Sequence, residues 1–256
     1  MLGAMIGDIV GSVYEWHNIK TTEFIFLKDQ CFFTDDTVLT AATAQALMTG
    51  GDYTAAYQDF ARRYPGRGYG GNFNNWIYAN PLKPYNSWGN GSAMRVSPVG
   101  FALNTVEGVL AEAERSAAVT HNHPEGIKGA QSTALAILMS RQGASQAEIR
   151  TEIKGRFGYD LDRSLAEIRP GYTFDVSCQG SVPEAIIAFL ESEGYEDAVR
   201  KAISLGGDSD TIACITGGIA EAFFGGVPQP IAERGRDFLP DEIIEILKDF
   251  EGWRKQ

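Results

Sequence analysis

Residues 206–224 read GGDSDTIACITGGIAEAFF. Two glycines and two aspartates stand directly before an apolar run rich in alanine and glycine, which is typical of a tightly packed, buried helix. Residues 33–48, FTDDTVLTAATAQALM, repeat the same order of acids followed by an apolar helical run. Carboxylates that lead into core helices are unfavourable unless a positive charge compensates them. The two stretches together therefore predict helices that bring acidic ends to one place.

Either acidic cluster alone is typical of an ordinary helix start, because Asp, Ser and Thr are preferred N-caps and first-turn acids favour the helix dipole. The two acidic clusters together indicate more than two ordinary helix starts. If both helix starts converge, four carboxylates share a small volume, where they repel one another unless cations neutralise them. Two divalent cations would balance four carboxylates, and oxygen donors suit Mg²⁺, Mn²⁺ or Ca²⁺ better than Zn²⁺. Thr34 and Thr211 could add hydroxyl oxygens.

Composition narrows the class of protein. The chain has 256 residues, a net charge of -11, 44% hydrophobic and 21% charged residues, as in ordinary globular proteins. The negative charge argues against non-specific binding to a nucleic acid backbone. Cys31, Cys178 and Cys214 form neither a zinc pattern nor a disulfide framework, which suits a reducing compartment. The first residues do not have the pattern of a signal peptide, and the sequence has no apolar run long enough to span a membrane. We therefore predict a cytoplasmic protein, and we expect it to be a monomer.

Helical periodicity dominates the chain, and no alternation of strands and helices appears. Gly3, Gly7 and Gly11 repeat every four residues in the first helix, which predicts close approach by another helix or a ligand. Residues 65–93 are rich in Gly, Pro, Asn and aromatics and predict a functional loop, while residues 172–176 could be extended. We expect one all-α domain over residues 1–256. The predicted helices are 2–16, 36–48, 52–64, 105–118, 125–142, 145–155, 183–193, 195–204, 209–224 and 240–250.

Six segments, in order, resemble the ADP-ribosylglycohydrolases, including the dinitrogenase reductase-activating glycohydrolases. Any one of them is a weak match, but their order along nearly the whole chain is specific. They are IGD at 6–8 with the following residues to 15, FTDDT at 33–37, GNGSAMRVSP at 89–98, THNHPEG at 120–126, GSVPEA at 180–185 and GGDSDTIA at 206–213. The resemblance implies a compact all-α orthogonal bundle with two Mg²⁺ or Mn²⁺ ions in a cleft.

The resemblance also implies roles for particular residues. The metal ligands it implies are Thr34, Asp35, Asp36, Asp208, Asp210 and Thr211. His121 would line the cleft, and Glu15 lies in a segment that covers the metals in relatives. The implied activity is cleavage of the N- or O-glycosidic bond between ADP-ribose and a modified group, which gives ADP-ribose as a product. The stretch from 66 to 88 departs from arginine-specific and serine-specific members, so the acceptor stays open: protein, nucleic acid or a small molecule.

The segment 87–92, Ser-Trp-Gly-Asn-Gly-Ser, matches the loop that holds the diphosphate in this family. Glycines let backbone amides approach anionic oxygens, and a helix that begins near Ser92 would add partial positive charge, although Asn90 and Gly91 also suit an ordinary turn. Trp88 beside Gly89 is our candidate for stacking. Arg95 could contact phosphate, but a structural pair with a core carboxylate such as Asp8 is the preferred interpretation.

The chemistry suits hydrolysis at an anomeric carbon, which passes through an oxocarbenium-like transition state. Metals can fix the ribose hydroxyls and lower the pKa of a bound water. The catalytic candidates for proton transfer are Asp35, Asp36 and Asp208, ranked ahead of Glu15. Two alternatives stay open: a non-catalytic protein that binds ADP-ribose, and a dinuclear hydrolase of another nucleotide.

Overall fold

The computed structural model describes residues 1–80 and 82–255. Within that part of the chain all regular secondary structure is helical, so the all-α prediction is confirmed. Pro81, in the predicted loop 65–93, and Gln256, in the predicted domain, lie outside the described residues. The helices are α1 Leu2–Gly11, α2 Asp35–Thr49, α3 Tyr53–Arg63, α4 Gly71–Ile77, α5 Gly91–Met94, α6 Ser97–Ala102, α7 Val106–Ala118, α8 Pro124–Arg141, α9 Gln146–Phe157, α10 Leu165–Ile168, α11 Cys178–Leu190, α12 Tyr195–Ile203, α13 Ser209–Phe223, α14 Gln229–Arg236 and α15 Asp241–Trp253.

All ten predicted helices are present, with shifted ends. The largest shifts are of five residues: α1 ends at Gly11 instead of residue 16, and α11 begins at Cys178 instead of Pro183. The hydroxyl of Ser177 accepts a hydrogen bond from the amide of Gly180 and caps this earlier turn. Since proline usually stands in the first turn of a helix, its position misled the prediction.

The sequence did not predict α4, α6, α10 and α14, and it offered α5 only as a helix that could begin near Ser92. Helix α4 lies within the segment 65–93, whose composition predicted a loop. It is stabilised by packing, since Phe73, Trp76 and Ile77 are buried and the rings of Phe73 and Trp76 stack. Tertiary contacts can override weak local propensity in this way. The possible extended stretch at 172–176 forms no strand, and the neighbouring Ser177 makes an isolated bridge to Gly89.

The glycine ridge of α1 packs against α13, which confirms the predicted close approach by another helix. A Cβ placed on Gly7 would overlap the carbonyl oxygen of Ala213, and one placed on Gly11 would lie 2.5 Å from Cα of Asp210. Only glycine permits backbones this close. The contact matters for the site because it seats the first turn of α13, with Asp210, against the end of α1.

The three cysteines are buried and free, as predicted. Within the described part of the chain, none of the helices combines the length and the apolar character needed to cross a membrane.

Candidate active site

A cleft of about 560 Å³ opens where the beginnings of α2 and α13 meet the segment 85–91. Asp36, Asp208 and Asp210 form its floor and are buried, whereas Glu15 and Asp35 are half-buried in its wall. The spatial prediction from the two acidic sequences is therefore confirmed: residues far apart in the chain share one small volume.

The carboxylates form two overlapping groups. Oxygen atoms of Asp8, Asp36 and Asp210 lie within 4.8 Å of one another, and so do those of Glu15, Asp208 and Asp210. Asp210 belongs to both groups, which places it between two sets of oxygen donors. Asp8 is an addition to the residues predicted from the sequence, where it was expected to pair with Arg95.

Asp8 holds the start of α2 instead. Its Oδ1 accepts a hydrogen bond from Oγ1 of Thr34 at 2.7 Å, and its Oδ2 accepts from the amides of Thr34 and Thr37 at 3.0 and 3.1 Å. The hydroxyl of Thr37 also donates to Oδ2. A buried carboxylate thus satisfies orphan amides at a helix start that belongs to another element. Asp8 of α1 thereby holds the first turn of α2, which carries Asp36.

Asp36 has one satisfied and one unsatisfied oxygen. Its Oδ2 lies 3.3 Å from the hydroxyls of Thr34 and Thr211, and it accepts from Thr211, because the Thr34 proton is donated to Asp8. Its Oδ1 is buried and has no hydrogen-bond partner among the described residues. An unpaired buried carboxylate oxygen is unfavourable. A hard cation bound there would supply the missing partner, so the donor set fits a divalent metal ion.

The start of α13 is held in a different way. Gly206 and Gly207 both have φ of 71°, which glycine adopts without strain. The side chain of Asn18 clamps this turn, because its Oδ1 accepts from the amide of Gly207 and its Nδ2 donates to the carbonyl oxygen of the same residue. Asn90 then donates from Nδ2 to Oδ2 of Asp208 at 2.7 Å. The predicted diphosphate loop is therefore linked directly to the acidic floor.

The floor is electrostatically unbalanced. Within the described part of the chain, no Lys or Arg side chain forms an ion pair with any of its acids. Burial is the main reason that the pKa values of Asp36 and Asp210 lie well above the usual range for aspartate, and the neighbouring carboxylates raise them further. Burial and the charge of Asp208 raise the pKa of Glu15 to about 7. Acids arranged in this way either hold protons or bind cations.

The predicted substrate loop lines one wall of the cleft. Trp88, Gly89, Asn90 and Gly91 all face it, and the amide of Asn90 donates to the carbonyl oxygen of Val176 at 2.8 Å. His121 lines the same wall, with Nε2 only 3.1 Å from a Cβ placed on Gly91. These five residues thus line one cleft, and their role in binding the substrate stays a prediction.

Ser92 was predicted among the substrate-binding residues, but it does not line the cleft. Its side chain is fully buried, and its hydroxyl donates to the carbonyl oxygen of Gly126 at 2.7 Å, so it packs the loop rather than facing the cleft. Arg95 is also a correction, because it forms no pair with Asp8: its guanidinium stacks on Tyr57 and donates to Ser116 and Thr120. Nothing in the sequence indicated that Asp8 accepts its hydrogen bonds from Thr34 and Thr37, which left it unavailable to Arg95.

Asp35, Thr34 and Thr211 stand close to the two carboxylate groups without belonging to them. The groups defined above include only acids, and Asp35 lies outside both. The amide of Asp35 donates to the carbonyl oxygen of Arg67 at 2.8 Å, which ties the start of α2 to the segment before α4. Their roles as metal ligands stay predictions.

Sequence reasoning missed part of the cleft entrance. Trp16 and Phe174 are exposed by 75% and 42%, yet their rings stack at 5.3 Å between centroids. Trp88, exposed by 47%, lies on the same cleft. Exposed large aromatics beside a cavity often mark a binding surface. The one available signal was Trp16 directly after Glu15, but Phe174 is remote in sequence.

Residues 1–255 match the family model of the ADP-ribosylglycohydrolases. Among similar proteins, human ADP-ribosylhydrolase ARH3 is 29% identical, with 88% of this chain and 84% of the relative covered. The mouse ARH3 protein is 28% identical over 88% of this chain and 82% of its own length. ADP-ribosylarginine hydrolase Tri1 from Serratia proteamaculans strain 568 is 24% identical over 90% and 72%.

A solved structure described as an ADP-ribosylglycohydrolase-related protein complex has the same fold. Its TM-score is 0.71 at 23% identity, and the match covers 99% of this chain and 94% of the other. The match of the family model over nearly all of the sequence agrees with the six ordered segments and with the acidic cleft. The chain belongs to the ADP-ribosylglycohydrolase family of hydrolases.

Proposed function

We propose that this protein hydrolyses the glycosidic bond between ADP-ribose and a modified acceptor, with two Mg²⁺ or Mn²⁺ ions held on the floor of the cleft. The observation that carries the proposal is the pair of carboxylate groups that share Asp210. Relatives named as hydrolases of ADP-ribosyl groups support the choice of reaction.

The residues on the floor fit two hard cations. Asp36, Asp208 and Asp210 supply oxygen donors, and Oδ1 of Asp36 lacks any other partner in the described structure. Asp8 already accepts four hydrogen bonds, so it orients the start of α2 rather than serving as a principal ligand. When bound, such ions would polarise the ribose hydroxyls and lower the pKa of a water molecule.

The protein supplies binding and orientation around that centre. The segment 87–91 lines the cleft and is the one that the family resemblance assigns to the diphosphate; its amides at Gly89 and Asn90 donate to Ser87 and Val176 and so fix the shape of the loop. Trp88 offers a ring face for the adenine. Asn90 joins the two functions, because its side chain holds Asp208 while its own backbone belongs to the diphosphate loop. Binding energy from the ADP half can thus position the anomeric carbon over the acids.

Hydrolysis requires that a water oxygen bond to the anomeric carbon, that the bond to the acceptor break, and that the water's proton reach the departing acceptor through a protein group. Glu15 and Asp35 are the half-buried acids of the wall, in contrast to the buried acids of the floor. Both residues line the cleft and keep part of their surface accessible, and a carboxylate placed there can take and return this proton. We therefore place Glu15 beside Asp35 in that role, whereas the sequence alone ranked the aspartates first.

Release of free ADP-ribose from a panel of arginine-linked, serine-linked and nucleic-acid-linked conjugates tests the proposal. We expect release with Mg²⁺ or Mn²⁺ and none with a chelator, because the floor acids need the cations. Binding of ADP-ribose without release from any conjugate would favour the non-catalytic alternative. Cleavage of other nucleotides but not of these conjugates would favour the second alternative. Glu15→Gln and Asp35→Asn, compared at saturating metal, separate the two candidates for proton transfer.

A further inference from the structure

Arg95 is a fully buried cation without a carboxylate partner among the described residues. Its guanidinium stacks on Tyr57, with Cζ 4.1 Å from the ring centroid. Nη2 donates to the carbonyl oxygen of Ser116 at 3.1 Å and to Oγ1 of Thr120 at 2.8 Å. A buried, unpaired charge is unfavourable for folding, which suggests that this guanidinium serves the cleft that it borders.

Thr120 stands between Arg95 and His121. Its oxygen accepts a hydrogen bond from Nη2 of Arg95, and the guanidinium, which has only donors, cannot accept one in return. Thr120 is fully buried, so its own hydroxyl proton also needs an acceptor. Nδ1 of His121 lies 2.7 Å from Oγ1 and provides it. A ring nitrogen that accepts this proton is unprotonated, and the neutral imidazole then carries its proton on Nε2.

Nε2 of His121 faces the proposed diphosphate loop. It lies 3.1 Å from a Cβ placed on Gly91 and 3.6 Å from one placed on Gly89. His121 is 5% exposed, and burial, followed by the charge of Arg95, holds its pKa well below the usual range, so the ring is neutral. In a neutral ring the position of the single proton decides the chemistry: Nε2–H attracts an anionic oxygen, whereas a bare Nε2 repels it.

We propose that Arg95 is a positioning residue that acts through the Thr120 hydroxyl to keep the His121 proton on Nε2, where it donates to a diphosphate oxygen of ADP-ribose. The identity of the ligand rests on the proposed function, but the tautomer is a property of the free protein. The charge of Arg95 also polarises the Thr120 hydroxyl and strengthens its bond to Nδ1. Arg95 needs no contact with the substrate in this role.

Nitrogen NMR of ¹⁵N-histidine-labelled protein tests the tautomer directly. The chain has three histidines, and loss of a signal in His121→Gln identifies the relevant ring. In the metal-free and ligand-free wild type we expect the proton of His121 on Nε2. In Thr120→Val, which keeps the shape but removes the hydroxyl, a population with the proton on Nδ1 should appear. The Kd for ADP-ribose, measured by calorimetry with Mg²⁺, should rise about 10-fold through loss of one charge-assisted hydrogen bond.

Three further variants separate this role from simple packing. Thr120→Ser keeps the hydroxyl and should restore both the tautomer and the affinity. Thr216→Val removes another fully buried hydroxyl, which donates to the carbonyl oxygen of Ala185, and should leave both unchanged. Arg95→Met should weaken the preference for Nε2 while its apolar chain still covers Tyr57.

The wild-type spectrum alone can overturn the proposal. A proton on Nδ1, or on both nitrogens at neutral pH, would overturn it whether or not Thr120→Val folds, and so would an unchanged tautomer in folded Thr120→Val. If the proton is on Nε2 as expected but ADP-ribose does not bind, the diphosphate half of the proposal fails together with the proposed function, while the Arg95–Thr120–His121 relation stands.

Discussion

The floor of the cleft is built from helix ends, whereas its entrance is built from connecting segments. Asp36 and Asp210 lie in first turns, held by the glycine contact between α1 and α13 and by hydrogen bonds to Asp8. Trp16 and Phe174 lie outside the helices and expose much of their surface. Because the floor acids lie in the first turns of packed helices, their carboxylates have few alternative positions. The connecting segments at the entrance can change in sequence without disturbing the core.

Loss of an acid from the floor should have the largest effect on activity. Asp36→Asn and Asp210→Asn each remove a carboxylate from the proposed cation site, and we expect turnover to fall by about 1000-fold or more. Glu184→Gln is the matched control, since Glu184 is a buried acid that pairs with Arg163 outside the cleft. Initial rates of ADP-ribose release measure the effect. Wild-type rates in either floor variant would contradict the assignment of its acid.

The glycine contact that positions the floor can be broken separately. Gly7→Ala forces a Cβ into the backbone of Ala213, and we expect it to lower the free energy of unfolding by about 3 kcal/mol. Gly155→Ala is the control, because that glycine lies in α9 with open space around it and should instead stabilise the helix by about 0.5 to 1 kcal/mol. Urea denaturation followed by circular dichroism measures both. Equal effects would show that the backbone contact is unimportant.

The floor should make the metal-free protein less stable as pH rises. Burial raises the pKa of Asp8 from 3.8 to about 6, and burial also raises the pKa values of Asp36 and Asp210 well above their usual range. The folded state therefore binds more protons than the unfolded state above about pH 4, and the free energy of unfolding falls as pH rises towards 7. The raised pKa of Asp8 alone lowers the free energy of unfolding by about 3 kcal/mol once its carboxylate is ionised.

Thermal unfolding between pH 4 and pH 7, with a chelator and with Mg²⁺, measures this dependence. We expect Mg²⁺ to reverse it, because the cations favour the ionised acids. Asp36→Asn should reduce the slope in the metal-free protein. A metal-free protein that becomes more stable over this interval would contradict the cluster of raised pKa values.

At the entrance, smaller effects confined to binding are expected. Trp88→Ala should weaken ADP-ribose binding by about 5- to 10-fold through loss of a stacking surface, with little change in the midpoint of thermal unfolding. Tyr78→Ala is the control, since Tyr78 is 66% exposed and does not line the cleft. Titration calorimetry with ADP-ribose measures the difference. Equal affinities for the two variants would remove Trp88 from the proposed adenine site.

The predictions from sequence succeeded where the pattern is local. Asp35 and Asp36 precede one apolar run and Asp208 and Asp210 another, so both helix starts could be identified, and the spacing of Gly3, Gly7 and Gly11 indicated a close helix contact. Prediction failed where a residue's partners are distant. Ser92 packs against Gly126, and Arg95 stacks on Tyr57 instead of pairing with Asp8. Helix α4 depends on buried aromatics within a segment whose composition suggests a loop.

The sequence by itself determined the helical class, the acidic starts of α2 and α13 and the order of segments that marks the family, because periodicity, capping and motif spacing are properties of neighbouring residues. Only the tertiary structure decided that Asp8 holds the first turn of α2, that Asp210 belongs to two carboxylate groups and that Trp16 stacks on Phe174. These relations join residues far apart in the chain, and packing of the folded backbone sets their distances.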